Sequence, residues 1–88
     1  MIKLLLVEDD EVLGFIIKEG MELIGEYDVQ WAVNPVEGLK IYEDFQPDVI
    51  VSDVEMPIMS GLDFARKIRE KDADIPIILE TCVTSSKI

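Results

Sequence analysis

The sequence predicts an α/β fold in which a parallel sheet carries helices on both faces. Two runs, Lys3–Val7 and Val49–Asp53, are apolar without the alternation of a half-exposed strand, which is typical of strands buried on both faces of such a sheet. Segments with helical spacing separate the strands, in the order β-α-β-α-β-α-β. Acidic residues follow the first run directly and Asp53 ends the second, at the sheet edge where α/β proteins place their ligand chemistry.

Length and composition predict a single globular domain over residues 1–88. The chain has 88 residues, 49% of them hydrophobic, which is enough for one core and too apolar for a disordered segment. No apolar run is long enough to cross a bilayer, and the start of the chain lacks the features of a signal peptide. We therefore expect a cytoplasmic protein without a membrane partner.

Charge and residue usage narrow the function classes. Nineteen acidic residues against eight basic ones give a formal net charge of −11, which argues against direct contact with nucleic acid. Histidine is absent, so the chain has neither an imidazole base nor an imidazole metal ligand. A single cysteine, Cys82, excludes an internal disulfide and any site with several cysteine ligands.

The first half of the chain contains two strands and two helices. After the strand Lys3–Val7 come four consecutive acids, and a helix from Val12 follows and ends before Gly25. Tyr27–Val33 alternates apolar and polar residues, as a strand at a sheet edge does. Asn34 and Pro35 are an N-cap and first-turn proline for a second helix. The two helices are expected to turn inward Leu13, Ile16, Ile17, Gly20, Met21 and Ile24, and then Val36, Leu39, Tyr42 and Phe45.

The second half repeats the pattern. Pro57 and Gly61 shape the loop after the strand Val49–Asp53, and a third helix with Leu62, Ala65 and Ile68 on its inner side follows. A fourth strand begins at Ile77-Ile78-Leu79, with Thr81 near its end. Glu80 is unexpected there, because a charge within a buried strand is costly.

Polar groups thus follow three strands at one edge of the predicted sheet. They are Glu8 and Asp9 after the first strand, Asp53 with Glu55 after the third, and Thr81 after the fourth. Converging carboxylates repel each other unless a cation lies among them, and oxygen ligands without histidine or cysteine suit Mg²⁺. A carboxylate is also a competent nucleophile toward phosphorus, and the hydroxyl of Thr81 could donate to a phosphoryl oxygen.

Three segments of the chain resemble the receiver domain of bacterial two-component response regulators. They are KLLLVEDD (3–10), PDVIVSDVEMPIMSG (47–61) and IPIILETC (75–82), and the second contains the specific pattern D-x-x-M-P-x-x-x-G. The resemblance implies a flavodoxin-like (CheY-like) doubly wound parallel sheet with strand order 2-1-3-4. It implies an incomplete one, without the family's last helix, strand and helix.

The resemblance also implies residue roles. Asp53 would accept a phosphoryl group from a sensor histidine kinase in a Mg²⁺-dependent reaction, and Thr81 would be the hydroxyl that moves toward the phosphate. Asp9 and Asp53 would bind the metal together with the backbone carbonyl of Glu55, and Glu8 would complete the acidic pocket. The protein would then be a phosphoacceptor in signal transduction, and not an enzyme beyond its own phosphorylation and dephosphorylation.

The chain departs from the family after Thr81. Nothing matches the family's lysine at the end of the fifth strand, which pairs with the phosphate, and Glu80 stands where the family has an apolar residue. Two alternatives follow. One is a truncated receiver that acts only by pairing with another chain, as a homodimer or a strand-exchanged assembly. The other, based on the weak acid-x-acid likeness of Asp53-Val54-Glu55, is a magnesium-dependent phosphatase with an aspartyl nucleophile.

Overall fold

A computed structural model describes residues 1–80 and confirms the predicted architecture. Four parallel strands lie in the order β2-β1-β3-β4, so that β2 is at one edge, as its alternation predicted. A helix follows each of the first three strands. The elements are β1 (Ile2–Val7), α1 (Glu11–Ile24), β2 (Tyr27–Ala32), α2 (Pro35–Phe45), β3 (Val49–Asp53), α3 (Gly61–Lys71) and β4 (Ile77–Glu80).

The helices divide between the two faces of the sheet because successive side chains of a strand point to opposite faces. In β1, Leu4 and Leu6 point toward α1 and pack with Val29, whereas Leu5 and Val7 pack on the other face. That second face carries α2 and α3 and the larger core. Its buried residues are Leu5, Val7, Ala32, Ile50, Phe64, Ile68 and Ile75.

The ends of the helices follow the signals in the sequence. Asp10, Asn34 and Ser60 are the N-caps of α1, α2 and α3, and each side chain accepts a backbone hydrogen bond from the first turn. Gly25 ends α1 with a φ of 86°, in the left-handed region that glycine adopts without strain. These caps confirm the predicted helix boundaries to within a residue.

The inward faces of the helices differ in part from those expected. Phe45 and Ile68 are buried as expected, and Ile17, Met21, Leu39 and Tyr42 are half-buried against the two cores. In α3 the buried residues are Gly61, Phe64 and Ile68, whereas Leu62 is 49% exposed. Ile68 is therefore buried as predicted and Ala65 is half-buried, but Phe64 takes the inward position expected of Leu62. The close contact of Gly61 with the end of β3 sets this orientation of α3. In α1 the buried residue is Gly14, and Ile16 and Ile24 are exposed; Val36 of α2 is exposed as well, and β2 ends at Ala32 rather than at Val33.

Within the described part of the chain, no helix is both long and apolar enough to cross a membrane.

Gly14 of α1 packs directly against the indole of Trp31 on β2. A Cβ atom added at Gly14 would lie 2.3 Å from two carbon atoms of that ring. We expect Gly14→Ala to displace Trp31 and to lower the free energy of unfolding by about 1–3 kcal/mol.

Gly20 is the matched control, because it lies on the same helix and a Cβ added there meets nothing within 4 Å. Gly20→Ala should raise the free energy of unfolding by about 0.5–1 kcal/mol, the difference in helix propensity. Urea unfolding of both variants measures the two effects. Equal effects of the two substitutions would contradict the contact between Gly14 and Trp31.

Candidate functional site

Glu8 stands directly after β1 and is held by contacts on three sides. Its backbone N–H donates to the carbonyl of Ala32 at 3.0 Å, which continues the pairing of β1 with β2. Its own carbonyl accepts a hydrogen bond from the indole Nε1 of Trp31 at 3.0 Å. Its side chain is 1% exposed, and its Oε2 accepts from the backbone N–H of Asp10 at 3.1 Å. The carboxylate is therefore buried at a fixed position between the strand and the start of α1.

Asp53 is the last residue of β3 and is 5% exposed. Its Oδ1 accepts a hydrogen bond from the backbone N–H of Glu55 at 3.2 Å, so the following loop turns back over the carboxylate. The loop returns at Gly61, whose N–H donates to the carbonyl of Val54 at 2.7 Å. A Cβ added at Gly61 would lie 2.1 Å from the carbonyl oxygen of Asp53, so only glycine allows α3 to begin this close.

The loop itself contains a strained residue. Ile58 has a φ of 76°, which a β-branched residue rarely adopts, and its side chain is 81% exposed. The N–H of Met59 donates to the carbonyl of Pro57 at 2.8 Å across it, which forms a three-residue turn. The strain accompanies the tight connection between the acidic residue and α3.

Three carboxylates meet at this edge of the sheet. Glu8, Asp9 and Asp53 each offer one oxygen, and the three oxygen atoms lie within 4.8 Å of one another. Glu8 and Asp53 are buried and Asp9 is exposed, so the cluster opens to solvent on one side. Among residues 1–80, no salt bridge reaches any of the three.

The donor set fits a hard divalent cation. Carboxylate oxygens alone, with one open side for water ligands, match the preference of Mg²⁺ for oxygen donors and retained waters. A further observation supports the fit: the side-chain Oε1 of Glu80, at the end of the neighbouring strand, is buried and has no hydrogen-bond partner among the described residues. Within residues 1–80, the pocket thus holds more negative charge than its contacts compensate.

The electrostatic effect of the cluster is visible at Glu8. Its pKa is raised from 4.5 to about 7, first because burial removes water from the carboxylate and then because Asp53, Asp9 and Glu80 repel its charge. The hydrogen bond from the backbone of Asp10 acts in the opposite direction and is outweighed. A cation in the pocket would favour the ionised form and reverse this shift.

The structure brings together Glu8, Asp9 and Asp53 as predicted from the sequence. Glu55 lies at the exposed rim, with its backbone N–H on Asp53, so the role of its carbonyl stays a prediction. Thr81 and Cys82 lie outside the described residues.

Sequence reasoning missed two neighbours of the site. The indole of Trp31 on β2 donates to the backbone carbonyl of Glu8, and nothing in the sequence pattern indicates this contact. Glu80 was predicted only to be an unexpected charge within a buried strand. In the structure it is paired in register with Asp53. An alignment of the carboxyl ends of the third and fourth strands would have indicated this pairing.

Comparison with known proteins identifies related chains. The response regulator receiver domain model matches residues 4–87. The DNA-binding dual master transcriptional regulator RpaA of Synechocystis is 32% identical over 92% of this chain. The chemotaxis protein CheY of Halobacterium salinarum is 33% identical over the same share. This chain spans 34% of the length of RpaA and 67% of that of CheY.

Solved structures agree with these relatives. Chemotaxis protein CheY4 of Vibrio cholerae superposes with a TM-score of 0.89 at 30% identity, over 99% of this chain and 73% of that one. Response regulator TrrA of Thermotoga maritima, in complex with Mg²⁺ and BeF, has a TM-score of 0.87 at 34% identity, over 96% of this chain and 72% of TrrA. TrrA in complex with the histidine kinase ThkA gives 0.86 at 33% identity, over 100% and 75% of the two chains.

The raised pKa of Glu8 predicts a pH dependence of stability in the metal-free protein. The folded-state pKa of about 7 lies above the unfolded value of 4.5, so this group's contribution is fully present below pH 4.5 and is lost as the pH rises through 7. We expect Glu8→Gln to remove this loss. Urea unfolding in a chelator, from about pH 5 to pH 8, compares the free energies of unfolding of variant and wild type.

Glu26→Gln is the control, because Glu26 is exposed and lies at the opposite end of the strands. It should retain the wild-type slope. If Glu8→Gln and the wild type lost stability in parallel over this range, the assignment of the slope to Glu8 would be wrong.

Proposed function

The chain belongs to the response regulator receiver family of two-component phosphorelay signalling, and from this premise we propose that Asp53 is the residue that accepts the phosphoryl group. The observation that carries the proposal is the convergence of Glu8, Asp9 and Asp53 within 4.8 Å, with Asp53 at the end of a buried strand. Asp53 also lies in the family pattern D-x-x-M-P-x-x-x-G, at its first position. None of the relatives described above is a phosphatase, so the aspartyl-phosphatase alternative gains no support.

The transfer itself requires an exposed line of approach to one carboxylate oxygen. An oxygen of Asp53 attacks the phosphorus atom of a phosphohistidine, the phosphorus–nitrogen bond breaks, and the imidazole leaves and takes up a proton. The hydrogen bond from the N–H of Glu55 to Oδ1 orients the carboxylate and leaves Oδ2 as the attacking atom. The product is an acyl phosphate on Asp53.

The same pocket would hold the metal. Asp9 and Asp53 would be direct carboxylate ligands of Mg²⁺, with the carbonyl of Glu55 as a third and Glu8 as the acid that completes the pocket. The ion would supply charge compensation for the phosphoryl oxygens. The exposure of Asp9 supports this assignment, because a ligand at the open side can be reached without unfolding the pocket.

A sensor histidine kinase is the proposed phosphodonor. TrrA, a similar protein, forms a complex with the histidine kinase ThkA. The helix α1, which begins directly after Glu8 and Asp9, presents exposed apolar side chains, including Val12, Phe15 and Ile16, which a helical partner could cover. We propose no direct contact with nucleic acid, because the net charge of −11 opposes phosphate binding.

We expect one phosphorylation site. Incubation with a small phosphoramidate and Mg²⁺ should add one phosphoryl group, measured by intact-protein mass spectrometry, and Asp53→Asn should abolish the addition. Chelation of the metal should also prevent it. Asp28→Asn is the control, because Asp28 is an exposed aspartate near the amino end of β2. Modification that persists in Asp53→Asn would rule out Asp53 as the acceptor.

We also propose that the chain associates with a second copy through β4. This strand is an edge of the described sheet, and Ile78 on it is 55% exposed. On the sheet face covered by α1, this helix contacts β1 and β2. Val49 and Val51 of β3, on the same face, are only partly buried. An apolar strand edge beside a partly open face favours pairing with another chain.

The association should be measurable by sedimentation velocity. We expect the sedimentation coefficient to rise with protein concentration, since screening limits charge repulsion to about 8 Å at physiological salt. Ile78→Lys should keep the chain monomeric. Leu62→Lys is the control, because Leu62 is similarly exposed on α3, against the other face. A wild type that stays a compact monomer at the highest concentration would contradict this proposal.

A further inference from the structure

A fourth carboxylate adjoins the acidic pocket. Glu80 ends β4 and is paired in register with Asp53, the last residue of β3. Paired residues of parallel strands point to the same face, so both side chains lie on the side of the sheet that Val51 and Ile78 also face. The pairing extends one step further, because the N–H of Val54 donates to the carbonyl of Glu80 at 3.0 Å. The backbone therefore fixes Glu80 beside the phosphoacceptor proposed above.

One oxygen of the Glu80 side chain lacks a partner among residues 1–80. Its Oε1 is buried and accepts no hydrogen bond from the described residues, which is costly for a carboxylate. Among residues 1–80 no salt bridge reaches it either. Its charge is also one of those that raise the pKa of Glu8, so the two carboxylates are close enough to repel each other.

Glu80 nevertheless lies apart from the three clustered carboxylates. The three oxygens within 4.8 Å of one another belong to Glu8, Asp9 and Asp53. A cation bound there would attract the charge of Glu80 without needing to coordinate it, and a metal-bound water could donate to the unpartnered oxygen. Cation binding would thus give the buried Oε1 of Glu80 a hydrogen-bond donor and reduce the repulsion between Glu80 and the other carboxylates.

We propose that Glu80 is an outer-sphere carboxylate that strengthens divalent cation binding to the pocket of Glu8, Asp9 and Asp53. The inference rests on the metal site of the proposed function. It predicts opposite effects of Glu80 in the two states of the protein. Glu80 destabilises the metal-free fold and stabilises the metal-bound one.

Titration with Mg²⁺ alone tests the proposal, by calorimetry and by the fluorescence of Trp31, whose indole is bonded to Glu8. We expect Glu80→Gln to raise the dissociation constant for Mg²⁺ by about threefold to tenfold. This is the effect of one charge acting on a divalent ion through a high-dielectric medium. Glu80→Leu should have a similar effect on binding. It should also raise the melting temperature of the metal-free protein, since it removes an uncompensated charge.

Two further variants separate the possible outcomes. Asp28→Asn removes a charge of the same sign from the opposite end of the strands and should leave Mg²⁺ binding unchanged. Asp9→Asn should abolish saturable binding. Unchanged or tighter binding in Glu80→Gln, with binding lost in Asp9→Asn, would overturn the role of Glu80 and leave the metal site intact. Mg²⁺ binding that survives in Asp9→Asn would instead contradict the site itself.

Discussion

The parallel pairing of β1 with β3 sets the position of every group in the site. Val7 is paired with Ser52, so the next residues along the two strands, Glu8 and Asp53, meet at the carboxyl edge of the sheet. A slip of one residue would turn Asp53 toward the opposite face and expose the apolar residues of β3. Burial of Leu5 and Ile50 on one face and of Leu6 on the other prevents that slip. The same hydrophobic contacts that stabilise the sheet therefore hold the carboxylates together.

In this arrangement, the local stability of the pocket conflicts with its proposed function. The core contacts tolerate no change of register, yet they force buried acids into mutual repulsion, which is seen in the raised pKa of Glu8. The surrounding backbone compensates in part. The N–H of Asp10 donates to Glu8 and that of Glu55 donates to Asp53, and Trp31 anchors the carbonyl of Glu8. The compensation is incomplete, and the remaining charge is what would attract a cation to the proposed metal site.

The residue pattern was sufficient to predict the strands and the three converging acids, because apolar runs followed by carboxylates have few physical explanations. The strand order came from the resemblance to the receiver family. The residue pattern was less informative about helix faces. Leu62 and Phe64 fit a helical stripe about equally well, and the choice between them depends on how closely Gly61 lets α3 approach Asp53. The role of Glu80 depends on the register of β4 against β3, a relation between distant segments that no local pattern contains.

The wide spacing of the acids along the chain has a consequence for folding. Each parallel pairing is closed by an intervening helix, and the contact of Lys3 with Asp48 joins residues 45 positions apart. Closing such long loops costs chain entropy, which makes sheets with non-local pairing slow to form. The acidic residues meet only after β1 and β3 have paired. A cation would then find its site only in the native state. Its binding would slow unfolding and leave the folding rate unchanged.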